Sequence, residues 1–591
     1  MNGMTSRGGL LSLPPEILDS IASYAAISDT TFASSSTSAP CSFLYDASIR
    51  TSKVVTPPTD LHALQLVCKR LHSLLSMQSN PRLYARVFRS KFDTAAIGRR
   101  FGKSTLTSHC LANELRRRCI LLKRMRRCVV DAALRLDDGA VLDESDNSIT
   151  EMLWLAYLMM LENDGLNYEQ LCWAQLHSFL ALHHAAEMLD SAVQAGYPSD
   201  AVHKALALHL VYLLTDPEQL AFEPRGEAME RLFVLRPFVF AAHKFDAYIA
   251  PWTLRNLPIA SSSNSTGAAG SNTSVEEASQ HTQGGPLATN PFLADLTPRD
   301  RSCLIDHVGG RLRIGAPILA QGACFSFFMK VEKDPAVLGM AALTDPDDPT
   351  SETTVRQPTA TRPPLTLTSI DHDKDVTRLL SCLDPTQSPG LPPLFFQGMF
   401  EGIWEGRFSF FDFDSYREML AGRMRSLYEG PFGEQPQIWK IREKIVKLGP
   451  GEAEGGKGSI LAAGYTSTDP QQELSAAAAS LTDSKGKGKA LPEDWDRYPS
   501  FPDEDSRERH EILLSGTGHS AWGRFVVRGR VRSWDGMLIM TKEYRPDGRG
   551  KWLYRGYSVA GGKLVGRWRD TFTPDNMYGY EGCFLFQRRG A

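Results

Sequence analysis

From Ala521 to Phe572 the chain reads AWGRFVVRGRVRSWDGMLIMTKEYRPDGRGKWLYRGYSVAGGKLVGRWRDTF, a run of Val, Trp, Tyr and Phe punctuated by Asp535-Gly536, Asp547-Gly548 and Gly561-Gly562. Such pairs suit the positive-φ positions of tight turns, and β-branched and aromatic residues suit a pleated, half-buried surface. Strands joined by tight turns make an antiparallel meander. An open meander leaves an unpaired edge, which is a template for aggregation. Upstream, Phe400 to Phe413 (FEGIWEGRFSFFDF) reads as one more strand, too apolar at Ile403, Trp404, Phe408 and Phe410 to stand alone, and its WEGRF echoes the later WGRF of Trp522 to Phe525. The expectation is a single C-terminal antiparallel β barrel or sandwich. Its first strand would be separated from the rest by a helical segment, about 415–448, and a long loop.

A chain of 591 residues exceeds what one hydrophobic core organises, so several domains are expected. Stretches rich in Ser, Thr, Gly, Pro and Ala, such as SSSNSTGAAGSNTSVEEASQHTQGG from Ser261, bury too little apolar surface to offset the entropy of ordering. They divide the chain into an N-terminal helical bundle at 11–92 with a disordered insertion at 27–59, an α-helical domain at 93–258, a disordered linker at 259–290 and a mixed helical and strand segment at 291–343. A disordered loop at 344–366, a first β segment with helices at 391–448, a disordered loop at 449–506 and the meander at 507–591 follow. The fold class is multidomain α+β. Asn80-Pro81 reads as a helix start, and SDAVHKALALHLVYLLTD from Ser199 carries apolar residues at helical spacing.

A net charge of -3 gives no whole-chain argument for nucleic acid or membrane binding. The ten cysteines are scattered without a CxxC pair and read as reduced thiols, neither a disulfide frame nor a zinc site. The longest apolar run, Met152 to Leu161, is half the ~20 residues of a membrane span. No secretory signal is visible. A cytoplasmic or nuclear protein without cofactor is expected.

Near the N-terminus stand two short amphipathic segments. In LSLPPEILDSIASYAA, Pro14 and Pro15 suit a helix start and Ile17, Leu18, Ile21, Tyr24 and Ala25 share a face; in TDLHALQLVCKRLHSLLS, Asp60 is a candidate N-cap before a stripe of Leu61, Leu64, Val67, Cys68, Leu71, Leu74 and Leu75. Neither is long enough to fold alone. Together with a third helix bearing Leu83, Tyr84, Val87 and Phe88 they would form a small bundle. Leu13-Pro14-Pro15-Glu16-Ile17-Leu18 with Ile21, then Leu61, Leu64, Val67-Cys68-Lys69-Arg70-Leu71, resembles the two halves of an F-box, over about a tenth of the chain and in the arrangement of fungal F-box proteins with a long C-terminal region of their own. The resemblance implies a non-catalytic substrate-recognition subunit of a Skp-cullin-F-box ubiquitin ligase. Leu13, Pro14, Ile17, Leu18, Ile21, Leu61, Leu64, Val67, Cys68 and Leu71 would grip the Skp-type adaptor, with cullin and an unknown protein substrate as further partners. The family's short connection is replaced here by Ile27 to Thr59. A flexible insertion costs little, because loop-closure entropy grows only logarithmically with length.

Other constellations weigh less. Arg82 to Arg127 holds fourteen Lys or Arg against Asp93 and Glu114, either a solvated face beside a buried one or a contact for an acidic partner. Residues 511–591 hold fourteen basic and seven acidic residues and four tryptophans. Trp522, Arg528, Trp534, Trp552 and Trp568 are accordingly the candidate substrate or ligand face. The absence of an RNP-type or dsRNA signature argues against nucleic acid, though a basic aromatic nucleic-acid-binding β domain and a lipocalin-like small-molecule binder stay open as alternatives: a flat basic face would favour the first, a tryptophan-lined pocket the second. DHDKD at Asp371 reads as an acidic helix start, FDFDSY at Phe411 as a strand end with Asp414 or Ser415 capping a helix, and His183-His184 as core or surface histidines. No GxSxG, P-loop or GxGxxG is present. No catalytic residue and no metal site is expected.

Overall fold

The first helices follow their capping chemistry. In the computed structural model, α1 (Pro15–Ile27) precedes α2 (Thr59–Val67), α3 (Lys69–Leu75), α4 (Pro81–Lys91), α5 (Ala95–Phe101) and α6 (Ser108–Val130). Asn80 caps α4 by accepting from the Leu83 amide at 3.2 Å, with Pro81 at the first helical position. The second opening segment departs from expectation, because it is two helices and not one. Cys68 is extended (φ -160°, ψ 161°) and its Sγ accepts from the Leu71 amide at 3.5 Å, so it ends α2 and caps α3; no side chain caps α2, and Asp60 lies inside it.

The structure describes residues 10–27, 57–134, 148–216, 223–250, 301–331, 364–447 except 386 and 393, 510–545, 550–573 and 578–589. The loops expected at 27–59, 259–290, 344–366 and 449–506, and the Asp547-Gly548 turn, lie wholly or almost wholly outside them. Two units are formed, one of Met1–Pro237, Ser302–Lys333 and Arg362–Leu380, the other of Phe238–Arg301, Asp334–Thr361 and Ser381–Ala591. Residues 238–250, which helical periodicity grouped with the middle region, thus belong with the barrel. The hairpin β1 (Ser302–His307) and β2 (Gly310–Gly315), with the helix Leu319–Val331, belongs with the helices. None of the described cysteines forms a disulfide.

At the centre of the helical unit, α7 (Ser148–Leu161) is buried on every side from Met152 to Leu161, as an all-apolar helix must be in water. Among the described residues no helix is long and apolar enough to cross a membrane. Beside α7 lies a buried set of charges. Arg118 of α6, fully buried, donates from Nε to Glu114 at 2.9 Å and from its terminal nitrogen to Glu162 at 3.1 Å, and its guanidinium lies 5.1 Å from the ring centres of both Phe88 and Phe92. His307 stands 2.8 Å from the other Glu162 oxygen. Burial opposes ionisation of Glu162, but His307, Arg118 and Arg100 overcome it and hold the carboxyl down at about 2. The free Glu114 oxygen accepts from the Val308 amide at 3.1 Å, which anchors the β1–β2 turn where Val308 adopts φ +47°, a costly conformation for a β-branched residue. The DHDKD acids begin the helix Asp373–Ser381, and Asp373 accepts from both Arg99 and Arg100.

Acid should loosen this unit. His183 is buried with its Nε2 3.0 Å from His203, and burial followed by the positive charge of His203 lowers it to about 3; burial and Arg100 lower His372 to about 4. The unfolded chain takes up these protons near 6.5 and the folded one does not. Stability is therefore lost as pH falls from 6.5 toward 4, at about 1.4 kcal/mol per pH unit for each histidine, and Glu162 adds to the loss below about 4.5. His209, which burial likewise lowers to about 4, adds a third share, so urea unfolding followed by helical circular dichroism at pH 7 and pH 5 should differ by about 6 kcal/mol. Replacing His183 and His372 with Gln should remove about two thirds of that dependence and leave the share of His209.

The second unit is organised by a closed barrel of eight antiparallel strands: β3 (Gly402–Phe411), β4 (Phe432–Lys447), β5 (His510–Ser520), β6 (Gly523–Val531), β7 (Met537–Tyr544), β8 (Lys551–Val559), β9 (Lys563–Asp570) and β10 (Glu581–Arg588). Each strand pairs with its neighbours in sequence, and β10 closes on β3 with Phe584 opposite Phe408. The upstream strand does close the sheet. Gly536, and Gly561 with Gly562, take positive φ at the expected turns. One expectation fails: 432–447 is strand β4, not the continuation of the helical segment, which is limited to Phe413–Leu420 and Met424–Glu429. Pro436 is hostile to a helix interior, and Trp439 and Ile441 alternate into the barrel as a strand requires. Asp412, not Asp414 or Ser415, is the cap of that first helix, accepting from the Ser415 amide at 3.1 Å.

Candidate functional site

Two places present groups that packing does not consume. The first is the outer face of the opening bundle. Leu18, Leu61 and Leu71 are buried and hold α1, α2 and α3 together, and Asn80 donates to Asp19 of α1 at 2.5 Å. Ile17 (46% exposed), Ile21 (37%) and Tyr24 (77%) lie at i, i+4 and i+7 on α1, while Leu66 (70%) and Val67 (68%) end α2 and Leu10 (45%) precedes α1. Pro14 is exposed, and Leu13, Leu64 and Cys68 are half-buried. The ten residues of the F-box resemblance therefore separate into three that are packed, four that are exposed and three that are half-buried. Leu66 carried no sequence signal, since within α2 it lies off the stripe of Leu61 and Leu64.

The second is the barrel interior. Eight strands enclose a space just wide enough to fill with side chains or to hold one small ligand. Here one part is filled: Trp439 packs on Phe586 at 4.0 Å, Tyr554 at 5.0 Å and Phe584 at 6.0 Å between ring centres, beside the fully buried Trp404. The other part is a cavity of about 220 Å³ lined by Phe408, Phe410, Trp522, Lys542, Trp552, Tyr554, Trp568 and Tyr580. Trp522, on the two-residue turn between β5 and β6, is 45% exposed and meets Phe408 edge-on at 5.6 Å. Trp552 and Trp568 meet edge-on at 5.1 Å.

Lys542 is the charge-bearing side chain of this lining. Its Nζ donates to the Tyr544 hydroxyl at 2.8 Å, lies 4.2 Å from the ring centre of Phe525 and 4.5 Å from that of Tyr544, and is 1% exposed. Burial lowers its basicity well below that of an ordinary lysine, and among the described residues no carboxylate pairs with it. Burial likewise pushes Tyr544 up to about 12, so its hydroxyl keeps its proton, and it shares a 2.9 Å hydrogen bond with Ser520.

Of the residues expected to form a ligand face, Trp522, Trp552 and Trp568 come together in this cavity and two do not. Trp534 is a packing residue elsewhere, its indole donating to the Ser388 carbonyl at 3.0 Å. Arg528 alternates with the inward Val527 and lies outside the lining. The outward arginines of these strands do not make an open basic face either: Arg530, Arg532, Arg555, Arg567 and Arg569 are buried, and Arg567 donates to the Val239 carbonyl at 2.9 Å and Arg532 to that of Ala250 at 3.1 Å. Lys542 was missed by sequence reasoning. The signal was present in Leu538, Met540, Lys542 and Tyr544, where a lysine occupies an inward position of the alternation.

Among the described residues no group of three or more His, Cys, Asp or Glu is placed to hold a metal ion, and His183 belongs to the core. No family model, no curated protein and no solved structure matches the chain.

Proposed function

We propose that the protein is the substrate-recognition subunit of a Skp-cullin-F-box ubiquitin ligase, docking the Skp-type adaptor through α1 and α2. The observation that supports this reading is the exposure of Ile17, Ile21, Leu66 and Val67 on two helices that pack together although 31 residues separate Ile27 from Thr59. Large aliphatic side chains left in water by a small bundle gain roughly 1.5 to 3 kcal/mol each when a partner covers them, before the cost of association. The receptor's contribution would be proximity, since a substrate lysine held near a charged ubiquitin-conjugating enzyme meets it as an intramolecular neighbour. The protein partner would be held by regions beyond the bundle, with the work in the cytoplasm or nucleus.

Replacing Ile17 and Ile21 together with Ser should reduce capture of a Skp-type adaptor on the order of a hundredfold, from the lost burial of two aliphatic side chains. The helical circular dichroism should be unchanged, because neither side chain is buried in the bundle. Co-purification of adaptor and cullin with the tagged chain reads the outcome. Undiminished capture would remove the F-box reading from these residues. The tryptophan-lined cavity supports a second reading, in which the barrel also binds a small apolar molecule.

A further inference from the structure

The geometry points to a ligand for the barrel: we infer that the cavity takes a compact, flat, apolar monocarboxylic acid whose carboxylate is received by Lys542 Nζ. Three observations on the cavity carry this. Its walls are aromatic, with Phe408, Phe410, Trp522, Trp552 and Trp568 offering ring faces and edges to a flat body. Its volume of about 220 Å³ is below the roughly 300 to 1,000 Å³ of sites for drug-sized ligands, which limits the body to a small ring system or a short chain. Its one cationic side chain is 1% exposed and reaches into a pocket where, among the described residues, no carboxylate meets it.

A buried amine of this kind costs stability unless something repays it, and a core filled with a methionine there would be the cheaper solution. An incoming carboxylate would supply the missing partner, accepting from Nζ, while the Tyr544 hydroxyl keeps Lys542 and Ser520 as its neighbours. A doubly charged phosphate would find only one cation. A peptide end would bring amide groups, and the lining has few polar atoms to pair with them. Because burial favours the neutral amine, binding of the carboxylate should draw a proton onto Lys542.

Cinnamate, with cinnamyl alcohol as its uncharged counterpart, tests this on the full chain. Tryptophan fluorescence should report saturable binding of both, with the acid tighter by on the order of tenfold to a hundredfold, the range of a charge-assisted hydrogen bond. Calorimetric titrations in buffers of different ionisation enthalpy should show proton uptake near pH 8 for the acid and none for the alcohol. In Lys542→Met, which keeps side-chain length and adds no polar group, the acid should fall to the affinity of the alcohol, and the alcohol should bind as before. Equal affinities for acid and alcohol in the natural chain, the absence of saturable binding by either, or a preference for the acid that survives Lys542→Met would each overturn the proposal. The first two need no variant to fold.

Discussion

Replacing Arg118 with methionine is expected to cost the helical unit about 3 to 5 kcal/mol, the range for removing one partner of a buried charge pair. The substitution preserves length and packing against Phe88 and Phe92, so the loss would be electrostatic and not volumetric. Glu114 would keep only the Val308 amide and the more distant Arg117, at 3.4 Å, while Glu162 would keep His307. Both carboxylates are essentially without solvent contact and cannot be hydrated where they stand. Urea denaturation followed at a helical wavelength measures the cost. A companion variant sharpens the test: Arg118→Met combined with Glu114→Met and Glu162→Met removes the guanidinium and both carboxylates and leaves His307 in place, and an apolar substitute for a buried ionic triad is often neutral or stabilising. Recovery in the triple variant would show that the charges define where the pieces sit more than they stabilise them. If the single variant lost less than about 1 kcal/mol, the carboxylates would have to be protonated in the folded chain, contrary to the depression of Glu162.

The barrel was legible in the sequence because its signals are local. Gly536 and the Gly561-Gly562 pair mark turns whatever the distant chain does, and a run such as Lys551 to Val559 is β-prone on its own. Strand β4 was not legible, since IWKIREKIVK also satisfies a helical spacing of apolar residues, and only pairing with Gly402 to Phe411 on one side and His510 to Ser520 on the other decides for the strand. The break at Cys68 escaped for a similar reason: Lys, Arg and Leu around it all favour a helix, whereas Cys68 is extended and its Sγ caps the helix that follows. Tryptophans drew attention to the right end of the chain but could not be sorted. Trp568 lines a cavity from within β9, whereas Trp534, beside the Asp535-Gly536 turn, fills a contact with Ser388 on a segment more than a hundred residues away, a partner that no local pattern names. The charge set of Glu114, Arg118, Glu162 and His307 draws on three distant segments, which no single-sequence pattern can join.

A chain beginning at residue 506 should fail to fold, whereas one beginning at residue 238 should melt cooperatively. The short chain keeps β5 to β10 and loses β3 and β4, so both β5 and β10 become open edges. It also loses Trp404 and Trp439, the two largest fully buried side chains among the described residues, and with Trp439 the ring against which Phe584, Phe586 and Tyr554 pack. Truncating even one such side chain typically costs about 3 to 5 kcal/mol, and both together approach the whole stability of an ordinary domain. An intermediate chain beginning at residue 381 should fold but melt lower, because Arg567 and Arg532 would lose the Val239 and Ala250 carbonyls that receive them, and Tyr557 the Ile249 amide it accepts from. Lys447 pairs directly with His510, so residues 448–509 join β4 to β5 as the connection of a hairpin, and an Asn-Gly turn in their place should leave the melting of the 238–591 chain nearly unchanged. Differential scanning calorimetry of the four chains distinguishes the outcomes. A sharp, reversible transition of the 506–591 chain at the temperature of the 238–591 chain would mean that the six later strands close without the first two, and the eight-stranded closure would then contribute nothing to the stability of this unit.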